Sequence, residues 1–503
     1  MRTVRPPEDP RTGTRQWAVL AVLLLATFAI GANVTFVSIA LPATARDLGA
    51  DLADALWLIN GYTVVLTVLT PASGRLADRI GPRPLLLGGA VLFALAAVAA
   101  ALAPNAATLI AARAVQGAGA AAVTPQALTM VVHVFPPHRR GTVLGIWGVV
   151  AGLAVAAGPA VGGLLVDTVG WRGAFAAGVV PIGAALAFAR MLPNPRTAGP
   201  SRFDLKGAIV LGTALLFLVA GLLEWQRLWW AIGAGAAGLA WFAAMQRKRG
   251  DAALVPPALA RAGAFLLMGA VGAVLVSAVA AMTFVTAVHL QVVARLDVLT
   301  AGMVVAVPPV ASLAFAPWSG RLTDRYGGRA PLLTGLWLMA GGLALLPAAA
   351  GPDRGWAALL PGLVLFGVGM GVAFAPPAAL AMAHIRPDMT GAASGALNTV
   401  RMLGGALGGA AVGALLQAVL MLRLDADDYD TAARLGPLDP ALAAEFTTAV
   451  RAAYLLPALA LAAVALVCHR RLPRGTRRDA GGAARTDATE GPAVREPVAA
   501  TKA

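Results

Sequence analysis

Fourteen apolar runs dominate this chain, at residues 17–41, 55–76, 84–103, 107–130, 142–166, 173–192, 206–224, 229–245, 263–291, 300–320, 330–350, 356–382, 392–421 and 450–468. Crossing the hydrocarbon core of a bilayer takes about 20 apolar residues in a helix, so the sequence predicts an all-α polytopic membrane protein. None of the runs alternates with period two, which disfavours a transmembrane barrel. Charged residues make up 13% of the 503 positions, against roughly 25% in a soluble protein. That shortfall excludes a water-soluble enzyme, a disordered chain and a nucleic-acid-binding domain. The first run is too long for the apolar core of a signal peptide, so it reads as an uncleaved helix. A single cysteine, Cys468, rules out an intrachain disulfide, and with five histidines and no HExxH or Walker loop no metal or cofactor is expected.

Charge placement orients the runs. With the N-terminus inside, strict alternation, and residues at the ends of runs counted with the adjoining loop, the inner side holds 29 of the 39 Lys and Arg, the outer side 8 (Arg46, Arg172, Arg227, Arg295, Arg354, Arg423, Arg434 and Arg451), and two, Arg113 and Arg401, lie well within runs. Basic residues favour the cytoplasmic side, so both termini are expected in the cytoplasm and the chain in the cell (inner) membrane. Residues 1–16 read as a cytoplasmic N-terminal segment and residues 470–503, rich in Arg, Ala, Gly and Pro, as a disordered tail.

The chain also contains itself twice. Asn33-Val-Thr-Phe-Val recurs as Ala281-Met-Thr-Phe-Val, and Gly74-Arg-Leu-Ala-Asp78-Arg79-Ile-Gly81-Pro-Arg83 recurs as Gly320-Arg-Leu-Thr-Asp324-Arg325-Tyr-Gly-Gly-Arg329. Gly117-x-Gly-x-Ala-x-x-x-Pro125-x-Ala-Leu recurs from Gly369, and Gly141, Gly145 and Gly163 match Gly391, Gly395 and Gly413. The offsets, 246 to 252 residues, map runs 1, 2, 4 and 5 onto runs 9, 10, 12 and 13. Two six-helix halves, 17–192 and 263–468, then flank two extra helices within 206–245. Parallel six-helix repeats with a site between them are a transporter architecture.

The repeated Gly74–Arg83 block resembles the loop 2–3 motif of the major facilitator superfamily. Leu109-x-x-x-Arg113-x-x-Gln116-Gly117 is similar to its helix-4 motif, and Gly145…Gly158-Pro159-x-x-Gly162-Gly163 to the helix-5 motif of its drug/proton antiporters. Trp57-x-x-x-x-Tyr62, Trp171-Arg172 and Phe203-Asp204-x-x-Gly207 resemble the fourteen-helix drug-efflux branch. The resemblance spans about residues 17–468 and implies a major facilitator fold and a proton-coupled exporter working by alternating access. That branch usually carries Asp in helix 1 where this chain has Asn33.

The motifs have physical content. Gly81 permits a tight turn between helices 2 and 3, and Asp78, beside Arg79 and Arg83, supplies an acid for a cytoplasmic latch that Asp324, Arg325 and Arg329 repeat. Gly158, Pro159, Gly162 and Gly163, with Gly145, allow close helix contact and a bend; control of the seal between the halves is what the resemblance implies for them. Arg113 and Arg401 lie inside runs, where a charge costs roughly 2.5–3.5 kcal/mol or more, and neither has a counterpart in the other half, which has Leu365 and Ala151 there. Asn33 lies at a depth similar to that of Arg113. Of the 24 acids, 13 fall on the outer side and 11 on the inner, none mid-run. His289 is then the interior group that titrates near neutrality, and Asp167 and Glu224 stand at outer helix ends. Tyr62, Gln116, Asn60, Thr124, Gln126, Thr283, Asn398 and Trp147 are further polar candidates for a pathway.

The expected activity is export of drug-like or metabolite small molecules, with protons as the coupling partner, membrane lipid as solvent, no nucleic-acid partner and a monomeric assembly. Two alternatives are an uncoupled or dedicated exporter of a neutral or anionic compound and, in another class, a non-transporting membrane scaffold or sensor.

Overall fold

The computed structural model describes residues 10–193, 205–249, 263–326, 328–351, 353–382, 390–436 and 438–472. The described elements are all helical: α1 (Pro10–Leu48), α2 (Leu52–Ile80), α3 (Pro82–Ala101), α4 (Ala106–Val134), α5 (Pro137–Ala177) and α6 (Val179–Ala187). α7 (Leu205–Leu223) and α8 (Trp225–Arg249) follow. After them come α9 (Gly263–Val288), α10 (Val298–Tyr326), α11 (Arg329–Ala349), α12 (Leu360–Ala373), α13 (Pro376–Met382), α14 (Thr390–Arg423), α15 (Ala426–Ala433) and α16 (Pro440–Arg471). Twelve helical stretches among the described residues are long and apolar enough to cross a membrane. In water such surfaces would aggregate; in lipid the exposed Leu95, Val180, Leu459 and Trp229 face a matching solvent.

Local chemistry sets the breaks. Gly170 has φ 74° and ψ 169° and interrupts α5 between the runs 142–166 and 173–192; that backbone is open to glycine and strained for other residues. Gly81 turns the chain from α2 into α3 with φ 92°, and Pro82 starts α3 where no N–H is needed. The run 356–382 is not one helix: α12 stops at Ala373 and α13 starts at Pro376, because Pro376 and Pro377 offer no N–H to continue the ladder. At the chain ends, α1 begins at Pro10 and α16 runs to Arg471, so residues 10–16 are helical, and residues 470 and 471, expected in a disordered tail, are helical too. Residues 1–9 and 473–503 lie outside the described residues.

The repeated sequence gives repeated packing. α1 packs along α5, α2 and α3 along α4, and α6 against α1 and α3. In the second half α9 packs along α14, α10 and α11 along α12, and α16 against α9 and α11. α7 and α8 form an antiparallel pair, and α7 lies against both α2 and α14. The two sets meet along α5–α10 and α2–α14. The start of α1 and the end of α16 lie at one pole, where Gln16 donates to the Val134 carbonyl at 3.1 Å and Arg329 to the His469 carbonyl at 2.8 Å. At the far pole α2, α4 and α16 start on capping side chains: Asp51, Asn105 and Asp439 accept the N–H of Asp54, Thr108 and Leu442. Within the bundle the hydroxyls of Thr44, Thr63, Thr67, Thr70 and Thr124 donate to carbonyls four residues back, so no hydroxyl among these five is left bare in hydrocarbon.

Candidate functional site

Arg113 is the largest fully buried polar side chain described, 1% exposed. It sits in the second turn of α4, about 10 Å along the helix from its start. One terminal nitrogen donates to Asn33 Oδ1 on α1 and to Gln116 Oε1 on its own helix, each at 2.5 Å. Its Nε donates to the Leu58 carbonyl of α2 at 3.3 Å. The guanidinium lies over the Tyr62 ring, 4.3 Å from the centroid, with the Phe175 ring at 5.9 Å. Every acceptor is neutral. The ion pairs Arg172–Asp47 and Arg423–Glu445 are surface pairs elsewhere. The cluster thus joins α1, α2, α4 and α5 around a positive charge held by dipoles and π-faces, which offset part of the cost of burying it. Sequence depth alone placed Asn33 and Arg113 at one level; the Leu58 carbonyl and the Phe175 ring carry no sequence signal.

The second half holds its own cation, arranged otherwise. Arg401 on α14 is half-buried and lies over Phe374 at 5.6 Å. Its stem fills the notch left by Gly272 of α9, where a Cβ would fall 2.6 Å from Arg401 Cγ. His289 is 2% exposed with no partner for Nδ1 among the described residues, and it opens a π-helical turn, His289–Val293, a distortion frequent at functional sites. These groups do not form one cluster with Arg113. Asn60 is buried and donates to the Leu56 carbonyl. Gln126 and Thr283 are buried, Thr124 and Trp147 half-buried, and Asn398 is exposed. Asp167 is exposed, whereas Glu224 accepts the Trp57 indole N–H at 3.0 Å.

The glycines of helix 5 serve two contacts. Toward α1, a Cβ at Gly158 would overlap the Thr35 hydroxyl and come within 2.7 Å of the Ala32 carbonyl, and one at Gly162 would press on Phe36 at 2.7 Å. Toward α10, a Cβ at Gly163 would fall 2.7 Å from the Val298 carbonyl, and one at Gly302 would overlap the carbonyl of Pro159. Across the α2–α14 seam, a Cβ at Gly413 would meet Leu56 at 2.5 Å and one at Gly409 the Asn60 amide at 3.3 Å. These contacts lie toward the far pole; nearer mid-bundle the α5–α10 seam continues at Gly152, where a Cβ would meet Leu313 at 2.6 Å. α7 and α8 bridge the α2–α14 seam: Glu224 binds Trp57 of α2, and Gln226 donates to Met421 of α14. The sequence offered Trp57 as a motif residue and gave no hint of its partner.

Trp171 and Arg172, just past the Gly170 break, both donate to Asp47 at the end of α1, which ties the α5–α6 corner down. Both charged partners are about half exposed, 46% and 48%, so Arg172→Ala should cost only about 0–1 kcal/mol; a thermal melt of purified protein, with a small shift expected, checks it. At the termini pole, Asp78 and Arg79 occupy the last turn of α2 and Asp324 and Arg325 that of α10; their side chains, like the surroundings of Gly145, lie outside what is described. Gly74 faces open space and Arg83 is half-buried. Phe203 and Asp204 also lie outside the described residues.

A doubled, membrane-spanning helical bundle whose halves meet along two glycine-lined seams defines a polytopic transporter rather than an enzyme, and comparison with known proteins agrees. Residues 23–409 match the Major Facilitator Superfamily, and the chain belongs to that family. A probable actinorhodin transporter of Streptomyces coelicolor is 32% identical over 454 residues, covering 84% of this chain and 76% of that one. The tetracenomycin C resistance and export protein of Streptomyces glaucescens is 32% identical over 416 residues, 80% and 76% of the two chains. Among solved structures, a bacterial homologue of the human lysosomal transporter Spinster, in an inward-facing and occupied conformation, superposes with a TM-score of 0.68 at 16% identity, over 91% of this chain and 97% of that one. At that identity the likeness is one of fold.

Proposed function

We propose that this transporter exports drug-like or metabolite small molecules across the cell (inner) membrane by alternating access between its halves, residues 17–192 and 263–468. The observation that carries the reading is the pair of seams, α5–α10 and α2–α14, closed by glycine contacts toward the far pole. Contacts that depend on small residues form and part as packed surfaces, which suits a two-state gate. The names of relatives that export or resist antibiotics support the substrate class. The topology is fourteen spans with both termini cytoplasmic. Support comes from the twelve long apolar stretches, from the Gly170 break that divides one of them, Gly152–Ala187, and from the shorter apolar helix Ile209–Leu223. The pathway and coupling residues are Asn33, Tyr62, Arg113, Gln116, His289 and Arg401. Asp78, Arg79, Arg83 and their repeats Asp324, Arg325 and Arg329 form the cytoplasmic latch around Gly74 and Gly81.

Proton antiport is the coupling that the family resemblance implies. One observation favours a second reading, an uncoupled exporter of a neutral or anionic compound. Asn33, held against Arg113, cannot titrate, and an arginine does not release its proton at physiological pH. Expression in a host stripped of its own pumps tests the export reading, with accumulation of a panel of cationic, neutral and acidic drugs as readout. Lower accumulation of at least one class is expected, and no change for any class contradicts export. Reporter fusions after Lys248 and Arg478 should read cytoplasmic and one at Asp428 outside; an outside reading at Arg478 contradicts the fourteen-span topology.

A further inference from the structure

Three buried polar atoms, on the three side chains that hold the Arg113 guanidinium, have no partner among the described residues: Asn33 Nδ2, Gln116 Nε2 and the Tyr62 hydroxyl. Their side chains are 3%, 0% and 1% exposed. The amide orientations are forced. Asn33 Oδ1 and Gln116 Oε1 both accept from one nitrogen of Arg113, and flipping either amide would press its NH2 against a cation. Each orphaned amide nitrogen is bonded to the same carbon as an oxygen already held by Arg113, so both lie a few ångström from that charged nitrogen. The phenol belongs to the ring over which the guanidinium stacks. Buried donors without acceptors are rare in folded proteins and mark a missing partner, and a buried charge without a counter-charge is costly. Water would satisfy the donors and leave the charge unopposed. An anion does both.

We propose that Arg113, Asn33, Gln116 and Tyr62 form a binding site for one monovalent anion, a halide or a carboxylate, that completes the buried cluster. The guanidinium supplies the charge, and the two amide NH2 groups and the phenol O–H supply donors. The same chemistry fits a free chloride or the carboxylate of a transported acid. It is a binding property of the folded chain and stands or falls apart from the export reading.

The test uses the purified full-length protein. Binding of radiolabelled chloride is measured by equilibrium dialysis, and thermal stability is compared in chloride, benzoate and sulfate at matched ionic strength. The controls are Asn33→Asp and Gln116→Glu, each placing a carboxylate of the chain's own on the guanidinium from a different side; two variants guard against one that fails to fold. For a resident free ion, the wild type binds chloride, and chloride raises its Tm over sulfate by about 2–4 °C. For a substrate carboxylate, benzoate gives that rise and chloride does not. In either case the anion dependence falls at least tenfold in the carboxylate variants. The proposal is overturned if neither anion binds or stabilises the wild type, or if both variants bind the anion as the wild type does.

Discussion

Gly302→Ala should lower transport about tenfold and raise exposure of the far pole. The added methyl would overlap the Pro159 carbonyl, a backbone atom that cannot rotate away, so α5 and α10 must separate. Overpacking of this kind costs about 1–3 kcal/mol. If the cost falls only on the state in which the seam is shut, the balance between states moves by about 5- to 150-fold. A membrane-impermeant thiol reagent on Leu299→Cys, in a Cys468→Ala background, should react faster when Gly302→Ala is added. Equal labelling with normal flux would show that this contact does not gate the pathway.

Arg113→Lys should be nearly as damaging as Arg113→Leu, despite keeping the charge. The guanidinium spans Asn33 and Gln116 on one nitrogen and the Leu58 carbonyl on another, and it lies over the Tyr62 ring. An ammonium is a point charge without that fork or plane. The lost hydrogen bonds and the cation–π contact together amount to roughly 2–4 kcal/mol. Both variants should insert and lose at least 90% of transport, read as initial flux per molecule of inserted protein; about tenfold follows from each 1.4 kcal/mol lost in the working state. Wild-type flux in Arg113→Lys would show that a positive charge alone suffices and that the fork and plane of the guanidinium are not needed.

The bundle was legible because lipid imposes simple rules. Apolar runs, charged loops and a duplicated set of motifs are one-dimensional signals, and the packing α1–α5 against α9–α14 repeats as the sequence repeats. One break was legible where the backbone demands a particular residue, at Gly81 with positive φ, whereas Gly170, also at positive φ, was marked only by the gap between two runs. The run 356–382 corresponds to one long apolar stretch, Trp356–Ala381, and the helix break inside it at Pro376 carries no signal in hydropathy because both prolines lie within the apolar stretch. The site was legible in part. Depth aligned Asn33 with Arg113, and Gln116 stands three residues on along the same helix. The Leu58 carbonyl, the Phe374 ring beneath Arg401 and the Glu224–Trp57 bond depend on how distant helices rotate against one another. No periodicity encodes that. The π-helical turn at His289 is likewise a product of packing, since its residues look like ordinary helix.

The central claim is that the far-pole seams must part during each cycle. The α2–α14 seam offers a direct test, because a Cβ on Gly413 would touch the Leu56 side chain. A Leu56→Cys, Gly413→Cys pair in a Cys468→Ala background, reconstituted in vesicles, can be oxidised to a disulfide and reduced again while flux of the best-exported panel compound is followed. Alternating access predicts flux abolished in the cross-linked protein and restored on reduction, with each single-cysteine control unaffected by oxidant. Flux at the uncross-linked rate through a fully cross-linked carrier would contradict it.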